Sequence, residues 1–243
     1  MKIKAVYLKK IYNLSNNVHD ETYIYQDDKV LTFQHLGAGN SVLLESIITT
    51  NSKKGNTIAF PTNKIKNILN ILNDDDELEL LEKDDYLLIK FKNYKRKIRK
   101  IFPDKERFTL PDERDKQALS FTNDIDIISS AIKNSLRASS DIIGDVYIIS
   151  NKESFKIKRE DETDEFEFTI NKSNSNLTIN KAKDDIKNRY ASVLLNELFA
   201  NIDGIVNIKI IRDGPIKITS QPFKNLKFKY MIAPLIKNET DDD

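Results

Sequence analysis

Cysteine is absent from the 243 residues, which excludes disulfides, thiolate nucleophiles and cysteine metal sites. Histidine is scarce: His19 and His35 lie too far apart to suggest a metal cluster. With six glycines in the whole chain, no glycine-rich loop of the phosphate-cradling kind is present. No apolar run approaches the ~18 residues of a membrane-spanning helix. The start MKIKAVYLKK lacks the apolar stretch and small-residue cleavage site of a secretory signal. The expectation is an intracellular protein, cytoplasmic or at the nucleoid (nuclear in a eukaryote), with no membrane partner. An excess of one charge sign is also missing. Lys and Arg number 39 against 38 Asp and Glu, so any surface built for an anionic partner must be local.

What is present is a globular balance, 39% hydrophobic and 32% charged, in a chain long enough for two domains. Runs rich in β-branched and aromatic residues read as strands over Thr22 to Phe33, Val42 to Thr49, Glu77 to Leu81, Tyr86 to Phe91 and Tyr94 to Ile101. Polar clusters such as Gln26-Asp27-Asp28 and Asn73 to Asp76 separate them. Two helices interrupt the sheet, one with Leu8, Ile11 and Tyr12 on a face, the other with Ile65, Ile68, Leu69 and Leu72. From Phe102 to Gln117 the pattern lapses into FPDKERFTLPDERDKQ, which reads as an interdomain connector.

After the connector the order of elements returns. The spacing of Ile128, Ala131, Ile132 and Leu136 predicts a helix over roughly Asp124 to Ser139. Strands are expected at Asp145 to Ser150, Ser154 to Arg159 and Glu165 to Ile170, then a helix near Tyr190 to Ile202. Val206 to Arg212, Ile216 to Gln221 and Leu226 to Ile232 read as the closing strands. The fold class is therefore α+β with an internal two-fold repeat. The expected organisation is an N-terminal domain 1–102, a connector 103–117 and a C-terminal domain 118–243 that ends in an acidic tail.

Gly214 to Ile236, GPIKITSQPFKNLKFKYMIAPLI, resembles the end of the PCNA-type sliding clamps, with Pro215 opening a strand and Ala233-Pro234 closing the domain. YASVLLNELF (Tyr190 to Phe199) is similar to that family's last helix, Leu8-Lys9-Lys10-Ile11 to its first, and Lys66 to Asp84 to its second helix and following hairpin. The T4-type phage clamps share this plan and remain an open branch. The resemblance implies a DNA-clamp fold: two similar domains, each with two helices on an antiparallel sheet, assembling into a ring with helices lining a hole. It implies a DNA polymerase processivity factor, not an enzyme and without a cofactor. The implied partners are double-stranded DNA bound without regard to sequence, DNA polymerase and other clamp-motif proteins, a clamp loader, and further copies of the chain, most simply in a homotrimer.

On this reading the DNA-facing groups are Lys9 and Lys10 with Asn13 and Asn17, Lys64 and Lys66 with Asn63, Asn67 and Asn70, and Lys133 and Arg137, with Asp126 diluting the charge. The fourth helix carries no base, so Lys187 and Arg189 just before it must substitute. The family's client pocket would be lined by Leu36, Asn40, Leu43, Phe108, Leu110, Pro215, Ile232, Ala233, Pro234 and Leu235. YKRKIRK (Tyr94 to Lys100) and REDETDEFEF (Arg159 to Phe168) carry opposite charge. If both are edge strands, as the family plan implies, Lys95, Lys97 and Arg99 of one copy would meet Glu165 and Glu167 of the next head to tail. Two other readings stand beside this one. One is an accessory or checkpoint-type subunit of a hetero-oligomeric ring. The other is a magnesium-dependent phosphoryl-transfer enzyme using Asp74 to Glu77 and Asp84-Asp85, although both runs fall in hairpin-like turns.

Overall fold

The structure, a computed structural model, describes residues 1–15, 21–37, 41–50, 58–101 and 119–235. The chain forms two compact units, residues 1–110 with 223–228, and residues 111–222 with 229–243. The first begins with β1 (Lys2–Lys4), α1 (Ala5–Ser15), β2 (Glu21–Asp27), β3 (Val30–Leu36) and β4 (Val42–Thr49). There follow β5 (Ile58–Pro61), a short 3-10 turn (Thr62–Ile65) running into α2 (Lys66–Asn70), then β6 (Glu77–Glu82), β7 (Tyr86–Phe91) and β8 (Tyr94–Arg99). One phrase, strand-helix-three strands, is thus spoken twice. The two phrases exchange their first strands: β1 joins β6-β7-β8, while β5 pairs with β2 beside β3 and β4. Neither phrase completes its sheet alone, which makes the unit a single cooperative body.

The second unit repeats the scheme with β9 (Asn123–Ile128), α3 (Ser129–Ala138), β10 (Val146–Ser150), β11 (Ser154–Glu160) and β12 (Glu165–Asn171). It continues through β13 (Leu177–Ala182), β14 (Ile186–Tyr190), α4 (Ser192–Ala200), β15 (Ile205–Ile210), β16 (Ile216–Phe223) and β17 (Leu226–Ile232). Its sheets run β12-β11-β10-β14 and β13-β9-β15-β16-β17, with β9 and β14 exchanged as β1 and β5 are and β13 added outside β9.

The expected third helix begins five residues late. NDIDII alternates with period two: Asn123, Ile125 and Ile127 are buried, and Asp124 and Asp126 share the other face. The segment is therefore β9, and α3 starts only at Ser129, where Ser129, Ile132, Ser135 and Leu136 are buried at helical spacing. Asp126 consequently sits on a strand rather than on the helix, hydrogen-bonded by Asn180 at 2.8 Å and Asn207 at 2.9 Å. Strands β1, β5, β13 and β14 are additions to the expected set.

Two buried amide side chains in the second unit find partners at every polar atom. Asn123 donates Nδ2 to Ser150 O and Asp184 O, and its Oδ1 accepts from the Lys183 amide, stapling β9 to the end of β10 and the β13–β14 loop. Asn188 on β14 donates to Ile211 O at 2.8 Å and Gly214 O at 3.1 Å and accepts from the Asp213 amide, fixing the loop before Pro215. Stranding either amide unsatisfied would cost roughly 1–3 kcal/mol. Because glycine is scarce, left-handed turn positions fall to Lys29, Lys92 and Asp213, with φ of 59°, 48° and 52°.

Candidate functional site

The polar helix faces divide into bases that hold the protein together and bases that face solvent. Lys9 donates Nζ to Leu72 O at 2.7 Å and to Asp74 Oδ1 at 2.8 Å, tying α1 to the chain just past α2. Lys133 donates Nζ to Ala200 O at 3.0 Å, the last carbonyl of α4. Both were expected as DNA-facing groups; in this structure they cap helix ends, where a cation meets unsatisfied carbonyls. Lys10 lies half-buried on the same helix as Lys9. Lys64, Lys66 and Arg137 are exposed, as are Asn63, Asn67 and Asn70 around α2.

Lys187 and Arg189 do not substitute for bases on α4. They sit on β14, whose buried residues Ile186, Asn188 and Tyr190 occupy the other face. That buried face carries Arg159 of β11, which reaches the ends of both helices, so Lys187 and Arg189 project from the side of the sheet away from α3 and α4. There they line a cavity of about 540 Å³ with Tyr147, Glu160, Asn188, Asp213, Pro234 and Leu235. The Lys187 ammonium lies 4.5 Å from the Tyr147 ring centroid, and Arg189 Nε lies 3.7 Å from Asp145 Oδ2. The Leu235 amide donates to Arg189 O at 2.8 Å, laying the C-terminal segment along the edge of β14.

Of the residues expected around a client pocket, Pro234 and Leu235 thus line a real cavity, and Ala233 is exposed beside them. Ile232 is 1% exposed and Leu43 6%, so both belong to the cores of their units and present almost no surface. Leu36 is half-buried on β3 and Pro215 half-buried just before β16. Asn17, Asn40, Phe108, Leu110 and the tail Asn238 to Asp243 lie outside the described residues.

Both charged segments end their sheets. β8 is the last strand of β1-β6-β7-β8, and β12 the first of β12-β11-β10-β14. On β8, Lys95, Lys97 and Arg99 share one exposed face, with Lys97 Nζ 4.9 Å from the Tyr86 ring centroid. On β12, Glu165 and Glu167 share the exposed face but are met within the unit by Lys158 at 3.1 Å and Lys156 at 2.8 Å. The Lys156 hydrogen bond is the main reason the Glu167 carboxyl is held below the usual range. Two exposed apolar residues accompany these edges and escaped the sequence reading: Tyr94 on β8, 58% exposed and stacked on Phe91, and Ile143 in the loop before β10, 84% exposed. The IIGD string was the available signal, an isoleucine pair of which only one can be buried beside a turn glycine.

Of the proposed magnesium carboxylates, Asp74 pairs with Lys9, and Asp76 with Lys92 at 3.0 Å and the Asn73 amide. Among the described residues no group of three or more His, Asp or Glu is placed to hold a metal.

A strand-helix-three-strand phrase used four times, with first strands exchanged inside each unit, defines the DNA-clamp class of fold. The particular form is that of PCNA. The PCNA of A. fulgidus, solved bound to the C-terminal region of FEN-1, superposes with a TM-score of 0.81 at 18% identity over 98% of both chains. The PCNA of Thermococcus kodakaraensis gives 0.81 at 17% identity over 96% of this chain and 98% of the other. The Proliferating Cellular Nuclear Antigen of Entamoeba histolytica gives 0.80 at 18% over 97% and 98%. No protein-family model and no curated protein matches the chain. The likeness lies in the fold.

Proposed function

We propose that this chain is the subunit of a DNA sliding clamp: a non-catalytic ring that encircles duplex DNA and tethers DNA polymerase and other client proteins. The observation that carries the reading is the match to PCNA structures along essentially the whole chain. Bases on the helices would touch phosphates loosely and without sequence preference, which suits a protein that must slide. Retention on DNA then comes from topology, and a loader is needed to open the ring.

The ring would close head to tail, the basic β8 edge of one copy against the acidic β12 edge of the next, most simply as a homotrimer. The edge position of both strands, their opposite charge and the exposed Tyr94 and Ile143 support this arrangement. Clients would dock where Ala233, Pro234 and Leu235 border the β14 cavity, consistent with a PCNA neighbour having been solved with a bound client segment. Sedimentation equilibrium should give the mass of a trimer. Polymerase product length on primed circular DNA should rise when this chain and a loader are added; a monomer that leaves product length unchanged with its cognate polymerase would sink the reading.

A further inference from the structure

Arg159 is 6% exposed, yet among the described residues none of its partners is a carboxylate. Its Nε donates to Gly144 O at 3.1 Å, Nη1 to Ser139 O at 2.9 Å, and Nη2 reaches the Ser192 hydroxyl at 3.4 Å. Ser139 follows the last residue of α3, Gly144 lies in the turn before β10, and Ser192 opens α4. A buried charge satisfied only by neutral acceptors adds little to stability compared with apolar packing. What the guanidinium fork supplies is geometry, because one rigid plane addresses three segments at once.

The turn it grips is held from two further directions. The Ile143 amide donates to Asp161 Oδ2 at 3.1 Å. Gly144 has φ of 152° and sits so close to β11 that a Cβ there would lie 2.9 Å from Glu160 O. Between these restraints Ile142 is buried and Ile143 is 84% exposed. An exposed isoleucine on a backbone fixed this firmly has little ordering entropy left to lose on docking, which is what a preorganised anchor requires. It stands beside the acidic hairpin of β11 and β12, so the surface that fits it is apolar with a basic rim. Tyr94 on β8 of a second copy has that character.

Resting on the ring reading, we propose that Arg159 is a positioning residue for self-association: it locks the Ser139–Asp145 turn so that Ile143 is presented to a second copy of the chain. Arg159→Lys keeps the charge but loses the fork, and Gly144→Ala displaces the turn by a different route. Each is measured alone and combined with Ile143→Ala, with the self-association constant from sedimentation equilibrium and thermal stability followed in parallel.

Each variant is expected to weaken association about tenfold in the parent chain and no further in the Ile143→Ala background, whatever it does to stability. Equal weakening in both backgrounds, or none in either, overturns the proposal while leaving the ring reading intact. A parent chain that stays monomeric overturns both. If Arg159→Lys does not fold, Gly144→Ala carries the same comparison.

Discussion

Lys9 and Lys133 hold the same place in the two units: each is the fifth residue of its unit's first helix, and each donates its ammonium to a carbonyl at or just past the end of the second helix, Leu72 O at 2.7 Å and Ala200 O at 3.0 Å. The duplication is therefore carried at single side chains where no sequence identity between the halves is evident. Lys9→Met and Lys133→Met are expected to lower stability by about 1 kcal/mol or less each, the value of a cation at a helix terminus. Thermal unfolding checks this. Full stability with reduced DNA affinity would mean the ammoniums act on DNA instead.

Lys64, Lys66 and Arg137 should behave the opposite way. Exposed on helical faces, each replaced by Ala is expected to reduce the slope of log affinity against log salt for duplex DNA by about 1, with no change in melting temperature. Binding isotherms on two unrelated duplexes at several salt concentrations test both the slope and the lack of sequence preference.

Charge reversal across the proposed contact is expected to be compensable. Lys97→Glu with Arg99→Glu should weaken self-association, as should Glu165→Lys with Glu167→Lys, and the combined variant should recover part of the loss. Recovery will be incomplete, since Glu165 and Glu167 also pair with Lys158 and Lys156 inside the unit. Intact trimers in both single-edge variants at low and high salt would place the contact elsewhere.

Leu235→Asp puts a charge into the apolar lip of the β14 cavity. Fluorescence anisotropy with a peptide carrying an aromatic-apolar plug should show affinity reduced by about 2 kcal/mol or more, as for loss of an interface anchor. Unaltered affinity would move the client site away from the C-terminal segment.

Alkaline stability should report on the second unit. Burial pushes the Tyr190 phenol up to about 12 from 10.0, against a smaller opposing effect of the Asn188 hydrogen bond, and burial also raises Tyr230 well above its ordinary value. With folded values above unfolded ones, the stabilisation is complete below pH 10 and is lost as pH rises toward 12. Denaturant unfolding of Tyr190→Phe should show a shallower fall across that interval, with part of the slope remaining through Tyr230. An unchanged slope would mean that Tyr190 ionises in the folded state.

Strands with dense β-branched and aromatic content were legible to the residue: Val42–Thr49, Tyr86–Phe91 and Leu226–Ile232 are β4, β7 and β17 as read. The boundary at Ile128 was not, because Ile128, Ile132 and Leu136 mimic a helical stripe while 123–128 alternates. β14 was hidden for another reason. IKNRY places a polar Asn188 at a buried position, tolerable only because Ile211, Gly214 and Asp213 supply its partners from 23 to 26 residues away. Missing that strand turned Lys187 and Arg189 toward the wrong side of the sheet. The same limit applies to Lys9 and Lys133: a lysine on a helix looks identical in sequence whether it meets solvent or a distant carbonyl. The opposed charge of β8 and β12, by contrast, was written in the sequence, since solvated edge strands carry their character in every second residue.

Topological retention can be tested most directly by loading the labelled chain onto nicked circular duplex and following its release at high salt before and after the circle is cut once. The account predicts retention on the intact circle and rapid loss through the free ends after linearisation. Equal release from circle and line would contradict it, because a protein held by contacts alone has no means of sensing an end.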